Sequence, residues 1–125
     1  MDTPQDLTAI RQERNLLFDF YGPMLTSKQA DCFTMRYIED CSLTEIAQEL
    51  EISPQAAVDF IKRSVERLER CEKQLGLVRK FTIQQDLAQG ILAKLDDLEQ
   101  HIGHVEPTSA LIGWIRSAVD EIMHS

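Results

Sequence analysis

Apolar residues recur at steps of three and four along almost the whole chain, and no stretch alternates with the period of two that a half-buried strand requires. Leu7, Ile10, Leu17 and Tyr21 mark a first helix, with Phe18 and Phe20 thickening its apolar side. Thr3-Pro4-Gln5-Asp6 supplies a cap, a proline at the first helical position and an acid in the first turn, and Gly22-Pro23 closes the helix. A second helix is predicted over residues 27–38, with Phe33, Tyr37 and Ile38 in the core and Cys32 as a small buried hydrophobe. Ala57, Ile61, Val65, Leu68, Leu75 and Val78 continue one stripe along a long fourth helix, which Gly76 ends or bends. Leu87, Ile91, Leu95, Leu98 and Ile102 make the next stripe, ending at Gly103. Pro107 opens a last helix in which Leu111, Ile115, Val119 and Ile122 share a face, with Trp114 beside it.

The punctuation of residues 25–63 narrows the fold further. Thr26 with Gln29, and Ser42 with Glu45, have the S/T-x-x-E/Q spacing of capping boxes, so each marks a helix start, with Leu25 and Cys41 placed as hydrophobic staples. Ser53 reads as a third cap, followed by Pro54 where the missing N–H costs nothing. Residues 51–53 alone then join two helices, and Ile46, Ala47, Leu50, Ile52, Ala57, Phe60 and Ile61 are the apolar positions that lock a helix-turn-helix. Ala47 and Ala57 are small where the helices would cross. Glu51 stands where such motifs often place glycine for a positive φ. The fold class expected is therefore all-α: a helix-turn-helix bundle over residues 1–80, including the N-terminal helix, with a helical extension over 81–125. The apolar stripes exceed what a three-helix core buries, so the extension is expected to pack on the same domain or on a second copy in a homodimer.

Charge qualifies what such a motif can bind. The net charge is −8, but it is uneven: residues 41–80 balance, whereas 81–125 hold two basic and seven acidic side chains. Within 62–80, seven basic residues outnumber three glutamates. This basic run can touch phosphates locally, although long-range steering by an acidic protein is weak. It is equally readable as a solvated face, because Asp59/Arg63, Glu66/Arg70 and Glu69/Lys73 are acid-before-base pairs at i, i+4.

Other chemistry is thinly represented. Three cysteines with spacings of 9 and 30 suggest neither a metal set nor a disulfide framework. His101 and His104 stand at i, i+3 without an obvious third ligand. No phosphate-binding glycine loop and no nucleophile–base set is present, so no enzyme activity, metal or cofactor is expected. No membrane span or secretory signal is read in the chain, and a cytoplasmic location is the default.

NLLFDFYGPMLTSKQ (15–29), RYIEDCSLTEIAQEL (36–50), ISPQAAVDFIKR (52–63) and ERLERCEKQLGL (66–77) together resemble the YlxM family of bacterial helix-turn-helix proteins. That family is similar in turn to the fourth region of sigma-70-type factors, whose recognition helix enters the DNA major groove. Members are encoded beside signal recognition particle components. The resemblance thus implies a non-enzymatic accessory of that targeting pathway, binding its RNA or protein and modulating its GTPase cycle. At the recognition helix the family pattern reads Ser-Arg-Gln-Ala-Val-Tyr-Asp-Asn-Ile-Lys-Arg. This chain has Pro54 for the arginine, Ala57 for valine, Val58 for tyrosine and Phe60 for asparagine.

Ser53, Gln55, Asp59, Lys62 and Arg63 survive from that pattern; Ser53, Gln55, Lys62 and Arg63, with Arg67 on the following turn, are the candidate nucleic-acid contacts. The set is poor for reading bases, because bidentate guanine contacts want an arginine in the first turns and Asp59 repels phosphate. Backbone contacts to structured RNA ask less of it. Two alternatives stay open: a DNA-binding transcriptional regulator, or a protein-interaction module carrying a vestigial helix-turn-helix.

Overall fold

A computed structural model describes residues 4–103 and 106–124, with side chains described from residue 8 onward. The described residues form helices joined by short turns, with no strand: α1 (Pro4–Tyr21), α2 (Ser27–Phe33), α3 (Leu43–Leu50), α4 (Pro54–Leu75), α5 (Leu77–Ile102) and α6 (Thr108–Met123). The predicted cap at Thr3 lies outside the described residues. By internal contacts the chain divides after Val78 into two compact units.

The helix starts of the first unit are built by the side chains that mark them in the sequence. Thr26 Oγ1 accepts from the Gln29 N–H at 3.3 Å while Gln29 Oε1 accepts from the Thr26 N–H at 3.1 Å. Ser42 and Glu45 repeat the exchange at 3.1 and 3.3 Å. Ser53 Oγ accepts from the Ala56 N–H at 3.0 Å, with Pro54 opening α4. Each bond satisfies a donor that the helix itself leaves open. Glu51 is left-handed (φ 55°, ψ 46°), so the turn between α3 and α4 takes the glycine-like geometry without glycine.

Two apolar clusters hold α1–α4 together. Leu17 and Tyr21 of α1 meet Phe33, Val65, Leu68 and Val78, and Phe18 stacks on Phe33 with centroids 4.8 Å apart. Cys32, Ile46, Ala57 and Ile61 form the second cluster, where α3 crosses α4. Ala47 is also buried there, and Tyr37 packs against both clusters.

Three core assignments are corrected. Ile38 is 53% exposed, because residues 34–38 form a wider π-helical turn in which the Glu39 N–H reaches back to the Thr34 carbonyl at 2.9 Å. The extra residue in that turn rotates Ile38 off the face that a 3.6-residue period assigns to it. Ile10 is exposed as well. Leu75 is 62% exposed: it lies in the last turn of α4, and Gly76 (φ 64°) then ends the helix, so Val78 belongs to α5.

The junction of α4 and α5 is closed by a polar cluster. Tyr21 Oη donates to Glu72 Oε1 at 2.6 Å and accepts from the Leu77 N–H at 3.0 Å. The same Glu72 oxygen accepts from the Val78 N–H at 2.9 Å. A carboxylate and a phenol therefore cap the first turn of α5, where the helix dipole favours negative charge. Burial pushes the Tyr21 phenol pKa up, and the Glu72 bond pushes it further in the same direction.

The second unit is an antiparallel hairpin of α5 and α6. Gln85 Nε2 donates to the Met123 carbonyl at 3.0 Å, and Arg116 bridges Asp96 and Glu99 at 2.6 and 3.0 Å. The buried apolar residues of this unit, which define its seam, are Ala88 and Leu95 on α5 and Ile112 and Val119 on α6. This corrects the predicted faces: Leu87, Ile91, Leu98, Ile102, Leu111, Trp114 and Ile122 are exposed, and of the predicted stripes Leu95 and Val119 are the residues buried. Periodicity marks a broad apolar arc on each helix, and the hairpin uses one edge of it. No helix among the described residues is long and apolar enough to cross a membrane.

Candidate nucleic-acid interface

The helix-turn-helix places α4 with its first turns on the surface, and five side chains there and beyond were expected to meet a ligand. Ser53 is exposed, but its hydroxyl oxygen is occupied as the α4 cap. Gln55 is exposed and makes no side-chain hydrogen bond among the described residues. Lys62 is exposed and is not ion-paired there. Arg63 is exposed, yet its Nε lies 3.0 Å from Asp59 Oδ2. That is the one member of the three predicted i, i+4 pairs that closes among the described residues. Arg67 Nε donates to the Met24 carbonyl at 2.9 Å, tying α4 to the turn after α1. Three of the five groups thus already serve the fold.

The N-terminus of α4 is similarly spent. Pro54 has no N–H and the Ala56 N–H is taken by Ser53, so Gln55 offers the free backbone donor of that turn. A phosphate seated there would meet little of what usually makes a helix N-terminus an anion site.

A shallow groove of about 470 Å³ runs beside α4 and collects cations from three elements: Arg14 of α1, Arg36 of the π-helical turn and Lys62 of α4. Tyr37, Leu43, Val58, Ile61 and Val65 provide its less polar surface, and Glu66 and Glu69 stand on its wall. Two of the cations are held in place. Arg14 donates to Tyr37 Oη at 2.6 Å with its guanidinium 5.0 Å from the ring centroid, and Arg36 donates to the Cys41 carbonyl at 3.1 Å. Each arginine keeps further N–H donors beyond those bonds. Lys62 is exposed and forms no salt bridge among the described residues.

Arg14 and Arg36 were not among the sequence candidates. They are 22 residues apart and far from Lys62 in sequence, and no local spacing marks them. Packing of α1 and the π-helical turn beside α4 brings them together.

A second groove, of about 710 Å³, has the opposite character: Asp31, Glu39, Glu45 and Glu49 surround Met35, Cys41 and Leu50. Burial pushes the Cys41 thiol pKa up, and Glu45 and Glu39 add to the rise. The thiol is therefore kept protonated and poorly nucleophilic. This side repels phosphate, whereas the groove beside α4 sets Arg14, Arg36 and Lys62 against Glu66 and Glu69. No group of three or more potential metal ligands gathers among the described residues.

Comparison with known proteins places these features in a family context. The model of family UPF0122, described as "Putative helix-turn-helix protein, YlxM / p13 like", matches residues 9–107, ending one residue before α6. A UPF0122 protein of Listeria innocua is 47% identical over 81 residues, which is 65% of this chain and 74% of that protein. The UPF0122 protein YlxM of Bacillus subtilis is 42% identical over 98 residues, 78% of this chain and 86% of that protein.

Proposed function

The chain belongs to the UPF0122 family of YlxM / p13-like helix-turn-helix proteins, and on that premise we propose that it is a non-enzymatic nucleic-acid-binding accessory of cytoplasmic protein targeting. Its ligand in this reading is the structured RNA of the signal recognition particle, and by binding there it modulates the particle's GTPase cycle. The observation that carries the proposal is the convergence of Arg14, Arg36 and Lys62 on one groove beside α4. Three cations from three elements suit a phosphate backbone whose path is set by shape, as in folded RNA. The first turns of α4 contain no arginine for guanine, which weighs against a sequence-reading DNA repressor. Gln55 and Lys62 are the contacts α4 itself offers, with Arg63 available when it leaves Asp59.

One observation favours a second reading. Ser53, Arg63 and Arg67 are engaged within the fold, as they would be in a motif kept as a scaffold for a protein partner of the particle.

Fluorescence anisotropy of labelled signal recognition particle RNA, with random duplex DNA as competitor and at two salt concentrations, separates the readings. The RNA reading expects binding that duplex DNA does not displace and that weakens steeply with salt. Lys62→Ala should reduce the slope of log affinity against log salt by about 1. Displacement by DNA at equal strength would favour the transcriptional reading. Absence of RNA binding, with a change in the particle's GTPase rate that Lys62→Ala leaves intact, would favour the scaffold.

A further inference from the structure

The α5–α6 hairpin leaves uncovered an apolar face that belongs to neither its own seam nor the groove beside α4. On α5, Ile83, Leu87, Ile91, Leu98 and Ile102 are 41–63% exposed. At 100° per residue they occupy a single arc of about 100°, adjoining Ala88 and Leu95 of the seam. On α6, Leu111 and Trp114 are 63% and 72% exposed, on an arc adjoining Ile112. The two helices run antiparallel, as the Gln85–Met123 and Asp96–Arg116 contacts establish. Residue number therefore advances in opposite rotational senses when both are viewed from one end, and the two arcs fall on the same side of the hairpin.

The size of this face decides what it needs. Taking roughly 200 Å² for a large apolar residue, the seven exposures amount to on the order of 800 Å². Largest patches on monomers are about 300–600 Å², whereas one side of a standard protein interface is about 800 Å². A two-helix layer has no second layer of its own to cover such a face. The first unit already closes its core, with Tyr21, Phe33, Ile46 and Leu68 all but fully buried among α1–α4.

We infer that a second copy of this chain covers the face, hairpin against hairpin, forming an intermolecular four-helix bundle centred on Leu87 and Trp114. An isologous contact makes the same patch serve both partners, so the area required and the area available match without any further surface. Two helical hairpins also supply the four helices that bundle packing needs. Residues 81–125 hold two basic and seven acidic side chains, so the copies repel each other and salt screens that repulsion. The dimer therefore tightens with salt, the opposite of the dependence of phosphate binding.

Sedimentation equilibrium of the full chain from about 1 to 100 µM, combined with emission from Trp114, its single tryptophan, tests the inference. The expected result is a monomer–dimer equilibrium in which Trp114 emission moves to shorter wavelength as the dimer forms, with both changes promoted by salt. Trp114→Glu and Leu87→Glu should each raise the dissociation constant at least tenfold while leaving the helical circular dichroism in place. Both positions are exposed in the protomer, so neither substitution removes a buried side chain from the hairpin's own seam. A monomer at all concentrations overturns the inference, whether Trp114 emits as a solvated or a covered side chain. A dimer indifferent to both substitutions overturns it as well. If the dimer is lost and RNA binding persists, the function proposed for the α1–α4 groove stands apart from the interface.

Discussion

Glu51 holds a left-handed backbone (φ 55°) as the C-cap of α3, a conformation that costs an L-residue about 1–2 kcal/mol and glycine almost none. The Ile52 N–H donates across this turn to the Ala47 carbonyl at 3.0 Å, so the geometry is held by the backbone and does not require the Glu51 side chain. Glu51→Gly should accordingly raise stability by about 0.5–1 kcal/mol, the relief of strain being partly offset by the freer unfolded chain. A urea midpoint that falls would show that the side chain contributes more than its exposure suggests. Asp40 is the contrasting case: it is also left-handed (φ 61°), but its carboxylate meets Arg11 at 2.9 Å, so glycine there would exchange strain for a lost, exposed ion pair. Tyr21 makes stability depend on alkaline pH. Its phenol titrates higher in the folded protein than its ordinary 10.0, so the unfolded chain releases that proton first. The stabilisation is complete below pH 10.0 and is lost as pH rises through the higher folded value. Tyr21→Phe should cost about 1 kcal/mol at pH 8 through the lost bonds to Glu72 and Leu77. It should also lose less further stability than the parent on going to pH 11. Parallel losses in the two proteins would remove Tyr21 from the alkaline transition.

At the level of the helices, α3 and α4 approach closely because Ala47 and Ala57 put only methyl groups into the crossing. Ala47→Trp should destabilise by about 1–3 kcal/mol through overpacking, read as a lowered urea midpoint. An unchanged midpoint would mean that the crossing accommodates bulk and that the helices are not locked there. Ser42→Ala, which removes the oxygen that accepts from Glu45, should cost about 1 kcal/mol. The starts of α2, α3 and α4 were legible in the sequence because each is decided within four residues, by a side chain answering a nearby backbone donor. The glycine-like turn at Glu51 was legible from its place after the last apolar position of α3. Ile38 was not, because one extra residue in the turn over 34–38 shifts the register and no residue type announces it. Nor was the choice of face on α5 and α6, since each carries apolar residues over an arc wide enough to pack in more than one rotation. The groove was half legible: Lys62 follows from the motif, while Arg14 and Arg36 arrive there only through the packing of α1 and the π-helical turn.

For the whole molecule, the two units differ in how much of their stability each can generate alone. The first holds Tyr21, Phe33, Cys32, Ile46 and Leu68 essentially out of water and adds a capped, hydrogen-bonded junction at Glu72. The hairpin buries Ala88, Leu95, Ile112 and Val119 and leaves larger side chains in solvent. Two antiparallel helices sharing so thin a seam are marginal by themselves, because ordering each residue costs about 1–2 kcal/mol of backbone entropy that burial must offset. Opening free energies should therefore be high in α1–α4 and low in α5–α6 when the protein is dilute. Covering the hairpin face by a second copy links its stability to concentration, as any binding to the folded state does. Amide hydrogen exchange at about 1 and 100 µM protein provides the comparison. Protection in residues 85–102 and 108–122 should rise with concentration, while protection around Phe33 and Leu68 stays constant. Equal protection of both units at the lower concentration would mean that the hairpin is stable without a partner, and the exposed Trp114 would then need a different explanation.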